Sequence, residues 1–268
     1  MESVLNKDEE NCNKILSIIE HQILKGNSNI IQFSINLIKE LKSQFSISEI
    51  KKLIKKKLEV KKNYFIRHAE AEHNVLENLY YNNPILRDVY DSKLTEEGKI
   101  QTKETLKKLQ NSKINFDLIF ISPLTRTIQT FILLKDYFKD TKTKIIITDM
   151  VKELVSYCNK NKGMKLTDLK KFLKENNLDF DINYITKEFW WFDDGKDKEN
   201  EYEGETFSLR LKLFILWVCF RKENNILIIS HSHVHYQIQG KGIYNADFKE
   251  LNKEYLFNYC KGLFENSF

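Results

Sequence analysis

Short apolar runs recur along the middle of the chain, and each run ends abruptly at polar residues. The runs are rich in aromatic and β-branched residues, as expected of strands that are buried on both faces. They occupy residues 63–66, 116–121, 144–148 and 225–230. The segments between them have the length and apolar spacing of helices. Strands that alternate with helices in this way indicate βαβ units, so the pattern predicts an α/β fold with a mostly parallel sheet.

The start of the chain has a different pattern, which predicts helices alone. Ile15 and Ile19 lie at helical spacing, and Gly26 is a typical C-terminal stop. Ser46 and Glu49 form the capping-box signature of a further helix, whose apolar residues lie on one stripe. We therefore expect several amphipathic helices before the first strand.

The last of these N-terminal helices carries a face of lysines. They are Lys51, Lys52, Lys55, Lys56 and Lys57. Such a face could bind anionic lipid, RNA or an acidic partner. Basic faces are also common on surface helices, and we interpret this one as solvated. The predicted organisation is a Lys-rich helical extension over residues 1–60 and one α/β domain over residues 61–268.

Charge and cysteine usage narrow the class of protein. Of a net charge of +5, most lies in residues 1–62, which hold twelve lysines, no arginine and eight acidic residues. The rest is nearly neutral, so nucleic acid is not expected as a partner. The four cysteines are far apart, without the spacing of a disulfide framework or a zinc site. No secretory leader is evident, and the longest apolar run, 213–220, is too short to span a bilayer. We expect a cytoplasmic protein.

Charged or imidazole side chains follow the carboxyl ends of the four predicted strands. These are Arg67 with His68, Arg126, Glu153 and His231. The carboxyl ends of parallel strands share one edge of a sheet, which is where such folds bind ligands. Arginines bind phosphate oxygens through a fork of donors, and an imidazole can act as a nucleophile. The pattern therefore predicts a cleft that binds a phosphoryl group.

One local feature refines the position of Arg126. Ser122 and Pro123 end the second predicted strand, and Ser followed by Pro is the usual start of a helix. Arg126 would then lie in the first turns of that helix, beside its positive dipole end. An arginine there gains nothing from the helix, so we expect an anionic partner.

Several short motifs of one known family occur here in the same order. They are RHAEAEHN at 67–74 for R-H-G-E-x-x-x-N, LTEEGKIQ at 94–101 for L-T-x-x-G-x-x-Q, SPLTRTIQT at 122–130 for S-x-L-x-R-x-x-Q-T, GET at 204–206 for G-E-S/T, and Ser230-His231 for the second histidine. Together they resemble the histidine phosphatase superfamily, the phosphoglycerate mutase-like proteins. His73 before Asn74 is most similar to a plant and fungal phosphatase-like branch. Ala69, Ala71 and Ser232 depart from the family pattern without removing a core catalytic group.

The resemblance implies a fold and a mechanism. The fold is a three-layer α/β/α sandwich around a mostly parallel sheet. His68 would take up the phosphoryl group as a phosphohistidine, and Glu153 would serve as general acid and base. The implied phosphate-binding residues are Arg67, Asn74, Arg126 and His231. Phosphomonoester hydrolysis would need no metal and no other cofactor, and the substrate would be a phosphorylated small molecule or a phosphoprotein.

Two alternatives to hydrolysis remain open. A cofactor-dependent phosphoglycerate mutase would return the phosphoryl group to the sugar acid, and it would hold its bisphosphorylated cofactor in a basic lid. The loop before Gly204 is acidic instead, with Asp193, Asp194, Asp197, Glu199 and Glu201, so we favour hydrolysis. A non-catalytic phosphatase-like protein would bind partners through the Lys-rich helices. A homo-oligomer is also left open.

A third alternative is a metal site. His231, His233 and His235 alternate, so in a continuing strand they would face one way, as metal ligands do. The run resembles the H-x-H-x-D-H motif of metallo-hydrolases, but Tyr236 stands where its last histidine belongs. We favour the metal-independent mechanism.

Overall fold

A computed structural model describes residues 2–26, 30–79, 89–139, 141–154, 159–191 and 204–265; the side chains of 2–6, 78–79 and 204–205 are not described. These ranges contain the helices and strands that the sequence predicts, in the predicted order, and further elements after residue 230 that it did not predict. They are α1 (Glu2–Leu24), α2 (Ile30–Gln44), α3 (Ile47–Val60), β1 (Lys62–Arg67), α4 (Glu72–Leu79), α5 (Glu96–Ser112), β2 (Leu118–Ile121), α6 (Thr125–Leu134), β3 (Lys144–Ile147), α7 (Leu166–Glu175), α8 (Gly204–Phe220), β4 (Asn225–Ser230), α9 (Ser232–Gln239), β5 (Phe248–Glu250) and α10 (Lys253–Lys261).

The described strands form one sheet in the order β3-β2-β4-β1-β5. The first four run parallel, and β5 pairs antiparallel with β1 at the edge. In the register of β1 with β4, Arg67 lies opposite Ser230. The residues that follow each of these strands are therefore neighbours at the carboxyl edge. The predicted α/β fold with a mostly parallel sheet is confirmed.

Helices cover both faces of this sheet because successive side chains of a strand point to opposite faces. Phe65 and Phe120 belong to the apolar cluster on one face, where the ring centroid of Phe120 lies 4.9 Å from that of Trp217 in α8. Ile66 and Ile121 belong to the other cluster, with residues of α5, α6 and α7. The strands are buried on both sides, as their continuous apolar runs predict, and the protein is a three-layer α/β/α sandwich.

The N-terminal helices are packed against the sandwich. Ile15, Leu37 and Ile54 are fully buried or nearly so, and they belong to the same apolar cluster as α8. Gly26 ends the first helix with a φ of +63°, a conformation that glycine adopts without strain. The extension thus covers α8 on its outer side, and the boundary at residue 60 stays a prediction.

The lysine face of α3 points away from this apolar contact. Lys56 forms an ion pair with Asp8 at 2.8 Å, and Lys51 forms one with Glu265 at 3.2 Å. Lys52 is exposed. Exposed ion pairs of this kind contribute little stability. The arrangement agrees with a solvated face.

The start of α6 differs from the sequence-based prediction. The helix begins at Thr125 and its N-cap residue is Leu124, so the assignment of Ser122 as N-cap and Pro123 as first helical residue was wrong. The cap comes from a distant side chain. The carboxylate of Asp91 accepts hydrogen bonds from the Thr125 amide at 2.8 Å and from its hydroxyl at 2.7 Å. A carboxylate at this position is favourable because the N-terminus of a helix is positive.

Of the helices that the structure describes, none combines the length and the apolar character needed to cross a membrane. The acidic residues 193–201, which we used to favour hydrolysis over the mutase reaction, lie outside the described part of the chain.

Candidate active site

His68 lies directly after β1, at the carboxyl edge of the sheet. Its amide donates a hydrogen bond to the carbonyl of Ser230, which continues the ladder between β1 and β4 by one residue. The side chain is 2% exposed, and its Nδ1 lies 2.7 Å from the carbonyl oxygen of Ala69. A carbonyl only accepts, so Nδ1 carries the proton. The lone pair of the imidazole is therefore on Nε2.

His231 follows β4 in the same way and faces His68. The two ring centroids are 5.2 Å apart. The Nε2 of His231 lies 2.7 Å from the hydroxyl of Ser122, and the side chain is fully buried. Its Nδ1 is buried and has no hydrogen-bond partner among the described residues. A buried ring nitrogen without a partner is costly in a folded protein, so this atom is available for a ligand.

Two arginines complete the polar lining. Arg67 donates from Nη1 to the carbonyl of Ile243 at 3.0 Å. Arg126 donates to the carbonyl of Lys160 at 2.9 Å and to the side-chain oxygen of Asn161 at 2.8 Å. Within the described residues, the Nε atoms of both arginines are buried and unpaired. Each guanidinium is thus oriented by protein oxygens while its Nε–H stays unused.

These contacts answer the question of the partner of Arg126. In the described part of the chain, its hydrogen bonds go to two neutral oxygens, although we expected an anion. The side chain is 1% exposed, and burial lowers its pKa to about 10. The charges of Glu153 and Asp91 offset only part of the effect of burial. A buried cation whose hydrogen bonds go to neutral oxygens attracts a further anion strongly because little water screens it.

Glu153 lies after the short 3-10 helix Asp149–Val151 and is 7% exposed. One carboxylate oxygen accepts a hydrogen bond from the Leu154 amide at 2.9 Å, and the other lies 3.3 Å from Nδ1 of His233. Burial by itself raises the pKa of this carboxyl group. The hydrogen bond and charge of His233, the Leu154 amide and the charge of Arg126 outweigh burial and lower the pKa.

Asn74 is largely occupied by protein contacts. Its side-chain oxygen accepts hydrogen bonds from the Ala71 amide at 3.1 Å and from the amide group of Asn245 at 3.2 Å. Its nitrogen donates to Nε2 of His73 at 3.1 Å, and Nδ1 of His73 lies 2.6 Å from the hydroxyl of Ser92. Only one amide hydrogen of Asn74 is left for a ligand. Asn74 therefore also serves to hold the loop after β1.

The start of α5 holds the same loop. The Thr95 amide donates to the carbonyl of Glu70 at 3.1 Å, and the Glu70 amide donates to the side chain of Gln101 at 3.0 Å. Gly98 allows the close approach, since a Cβ there would lie 2.1 Å from the Glu70 carbonyl oxygen. The spacing of the polar residues and the glycine in the LTEEGKIQ segment is thus explained by the loop that they hold in place.

The middle of α6 acts in a similar way. The hydroxyl of Thr130 accepts a hydrogen bond from the Ala69 amide at 3.1 Å. The side-chain oxygen of Gln129 accepts one from the Leu94 amide at 2.8 Å. The Thr130 hydroxyl therefore holds Ala69, whose carbonyl orients the imidazole of His68.

The metal alternative requires strand β4 to continue through His235, but the strand ends at Ser230. The helix α9 begins immediately after His231, so the three imidazoles point to different partners. His231 contacts Ser122, His233 contacts Glu153, and His235 donates from Nδ1 to the carbonyl of Lys241. In the described ranges no group of three His, Cys, Asp or Glu residues could hold a metal ion. The metal alternative required a strand that continues past His231, and that condition is not met.

The structure brings Arg67, His68, Arg126, Glu153 and His231 to one edge of the sheet. Their mutual effects reflect this closeness. Burial lowers the pKa of each arginine and the charge of Glu153 offsets part of that lowering, while burial and the charges of both arginines lower the pKa of His68. The catalytic and binding roles of these residues stay predictions. The arrangement suits an anion that is both compact and multiply charged.

Sequence reasoning missed some contacts in this region. Asn161 holds Arg126 and donates from its own nitrogen to the carbonyl of Leu154 at 2.7 Å. Asn245 donates to the carbonyl of His68 at 3.1 Å. No local pattern marks either asparagine, because each contact joins segments that are distant along the chain.

The buried imidazoles of His68, His73 and His231 should make the fold sensitive to acid. Burial and the nearby charge of Arg126 lower the pKa of each well below its ordinary 6.5. Below that pH the unfolded chain binds more protons than the folded chain, so stability falls as pH falls. We expect the free energy of unfolding in urea to drop by more than ~1.4 kcal/mol per pH unit below about pH 6.5, the slope of a single group.

The control for this measurement is His21→Gln, which removes an exposed histidine outside the site. It should leave the slope unchanged. A stability that stays constant from about pH 7.5 to about pH 5.5 would contradict the burial of three neutral imidazoles.

Comparison with known proteins identifies the family. A sequence model of the histidine phosphatase superfamily (branch 1) matches residues 63–251, which is more than half of the chain. The chain belongs to the histidine phosphatase superfamily. The matched region contains all the predicted site residues and begins after α3. The resemblance predicted from the motifs is confirmed.

Individual relatives of this superfamily are distant. Phosphoglycerate mutase-like protein 1 of Arabidopsis thaliana is 24% identical over 194 residues, which cover 63% of this chain and 67% of the relative. This plant protein agrees with the branch that His73 indicates.

One of the similar solved structures shows the same fold. The ecdysone phosphate phosphatase from Bombix mori, solved with tungstate, has a TM-score of 0.52 at 13% identity, covering 71% of this chain and 88% of that one. A phosphoglycerate mutase from Bacillus anthracis str. Sterne has a TM-score of 0.46 at 18% identity, covering 74% and 96%. At such identities the first of these structures supports the fold and nothing beyond it.

Proposed function

We propose that the protein hydrolyses phosphomonoesters through a phosphohistidine on His68. Membership of a superfamily that contains phosphatases supports this class of reaction. The observation that carries the proposal is the state of His68. Its proton is fixed on Nδ1 by the Ala69 carbonyl, which leaves the Nε2 lone pair for attack on phosphorus.

The surroundings of His68 keep its imidazole in the neutral, nucleophilic form. Burial and the charges of Arg126 and Arg67 lower the pKa of His68 well below its ordinary value, so the imidazole is neutral at physiological pH. A protonated imidazole has no lone pair to give. The same arginines that suppress protonation attract the dianionic phosphoryl group, so substrate binding and activation of the nucleophile have one cause.

The first chemical step transfers the phosphoryl group to the enzyme. Nε2 of His68 attacks phosphorus, the bond to the leaving oxygen breaks, and its electron pair goes to that oxygen. The charge spreads over the other phosphoryl oxygens. The unused N–H groups of Arg67 and Arg126 can donate to these oxygens. His231 can donate from Nδ1 when its Nε2 accepts from the Ser122 hydroxyl.

The second step returns the enzyme to its starting state. Water attacks phosphorus, the bond to Nε2 breaks, and its electron pair returns to the imidazole. Glu153 would protonate the leaving oxygen in the first step and accept a proton from water in the second. The positive charge that the transferred group requires comes from the two arginines, so the proposed reaction uses no metal or other cofactor.

The substrate would be a phosphorylated small molecule or a phosphoprotein. The site described here recognises the phosphoryl group, which all such substrates share. The role of the Lys-rich N-terminal helices lies outside this reaction, since their packed side faces α8.

Trapping of the intermediate tests this proposal. In Glu153→Gln, p-nitrophenyl phosphate should still phosphorylate the enzyme because its leaving group needs no proton, while hydrolysis of the intermediate should be slow. We expect a base-stable, acid-labile phosphoryl group on the peptide that contains His68, detected by mass spectrometry after an alkaline quench. His68→Ala should show none. A phosphoryl group on another residue, or none in an active enzyme, would refute the mechanism.

Assays of the purified wild-type protein distinguish the two alternative functions from hydrolysis. Conversion of 3- to 2-phosphoglycerate faster than hydrolysis would establish a mutase in place of a phosphatase. Absence of turnover on aryl phosphates, together with tight binding of a protein or an acidic lipid, would favour the non-catalytic protein.

A further inference from the structure

His233 connects the buried carboxyl group of Glu153 with solvent. It lies in the first turn of α9, two residues after His231. Its Nδ1 is 3.3 Å from a carboxylate oxygen of Glu153, while its side chain is 66% exposed and that of Glu153 only 9%. His233 belongs to none of the family motifs. Its position is therefore a feature of this chain that the proposed mechanism has not yet used.

The pair shares its proton unequally. The hydrogen bond and charge of Glu153 raise the pKa of His233, against the opposing effects of burial, Lys160 and Arg67. Those of His233 help to lower the pKa of Glu153. A single proton shared by the pair therefore lies on the imidazole, and the carboxylate is ionised.

This distribution poses a chemical problem for the first step. An ionised carboxylate cannot protonate a leaving oxygen. Leaving groups differ in how much they need that proton, since an alkoxide is a far poorer leaving group than a nitrophenolate. The proton must reach Glu153 at the moment of transfer, and His233 is the described titratable residue that contacts the carboxylate.

We propose that His233 is a positioning residue that holds the Glu153 carboxyl group and supplies and recovers the proton which Glu153 exchanges with the substrate. This inference rests on the proposed phosphatase function. In the first step the His233 imidazolium gives its Nδ1 proton to Glu153, and Glu153 gives a proton to the leaving oxygen as the bond to phosphorus breaks. His233 is then neutral.

The second step reverses the transfer. As water attacks the phosphohistidine, Glu153 takes a proton from it and His233 takes a proton from Glu153. The imidazolium is restored, and the products are the alcohol and inorganic phosphate. Protons balance over the cycle without any further reactant, and the exposed ring can also exchange its proton with solvent.

The test compares two substrates in His233→Gln. Glycerol 2-phosphate leaves as an alkoxide and needs the proton, whereas p-nitrophenyl phosphate does not. We expect kcat/KM for glycerol 2-phosphate to fall about 10- to 100-fold, the range of a weakened general acid, and that for p-nitrophenyl phosphate to change less than about threefold. Activity on glycerol 2-phosphate should decline at high pH in the wild-type enzyme, because the catalytic proton is lost there. In His233→Gln this decline should begin at a lower pH, since only the carboxyl group of Glu153 is left to hold the proton.

Controls separate the possible outcomes. Tyr236→Gln changes an exposed side chain of the same helix and should leave both substrates unaffected. His233 is itself exposed, so its replacement should not unfold the protein. An equal fall for both substrates, or no change for either, would overturn the inference. A wild-type enzyme that hydrolyses neither substrate would instead refute the proposed function.

Discussion

Replacement of His68 by alanine is expected to lower kcat for p-nitrophenyl phosphate about 1000-fold or more, because it removes the atom that takes up the phosphoryl group. The imidazole is almost fully buried, and its Nδ1 proton is fixed by a backbone carbonyl, so no other side chain can take over its geometry. His231 is 5.2 Å away by ring centroid, but its Nε2 is already bound to Ser122. Steady-state kinetics with purified protein gives the measurement.

His235→Ala is the matched control for this variant. His235 is also a buried histidine beside the sheet, with its ring centroid 5.0 Å from that of Phe65 and its Nδ1 donating to the Lys241 carbonyl. Its loss should cost stability and leave the activity per folded molecule within a few-fold of wild type. If His68→Ala kept more than about a tenth of the wild-type kcat, the nucleophile would have to be another group.

Arg126→Lys should reduce kcat/KM about 100- to 1000-fold although the positive charge is kept. An ammonium group cannot reproduce the fork of the guanidinium, which donates to the Lys160 carbonyl and the Asn161 side chain and leaves Nε for the substrate. The shorter reach of lysine also withdraws the charge from the developing phosphoryl oxygens. The effect should appear in kcat, since the interaction is strongest in the transition state.

The same substitution at Arg221 provides the control. Arg221 is a buried arginine at the opposite end of the sheet, where it contacts Glu20 and Glu223. Arg221→Lys should lower the melting temperature and leave catalysis unchanged. Inorganic phosphate should raise the melting temperature of wild type and of Arg221→Lys, and should fail to do so for Arg126→Lys. Unchanged stabilisation by phosphate in Arg126→Lys would show that the anion binds elsewhere.

Both predictions depend on how the fold concentrates positive charge and neutral imidazole in one buried place. Arg126 loses much of its hydration on folding, as its pKa of about 10 reflects. The described protein groups return two neutral hydrogen bonds to it, and the charges of Glu153 and Asp91 offset only part of the loss. Burial of the charged Arg126 therefore costs free energy when the protein folds, and a bound phosphoryl anion offsets part of that cost. Such a site should be less stable without an anion than with one.

Local patterns along the chain were sufficient for the four parallel strands and for their succession along the chain, but they did not predict the edge strand β5. The continuous apolar run of β4 at Asn225–Ser230 was predicted to the residue, because burial on both faces leaves no polar position inside it. The sequence also placed Arg67 with His68, Arg126, Glu153 and His231 at one edge, since parallel strands bring their carboxyl ends together. The positions of the strands follow from residues that are close together in the chain. The shared edge follows from the general rule that parallel strands end on the same side of a sheet.

Only the tertiary structure decided which groups the site residues contact. Asp91 caps α6 across 34 residues, and Asn245 reaches Asn74 across 171. His233 contacts Glu153 although the two residues lie in segments that are far apart along the chain. Apolar periodicity reports burial, which depends on local spacing. Hydrogen bonds between polar side chains depend on direction and on distances of a few tenths of an ångström, and these exist only once the layers have packed. For that reason the location of the site was readable from the chain, whereas the proton partner of Glu153 was not.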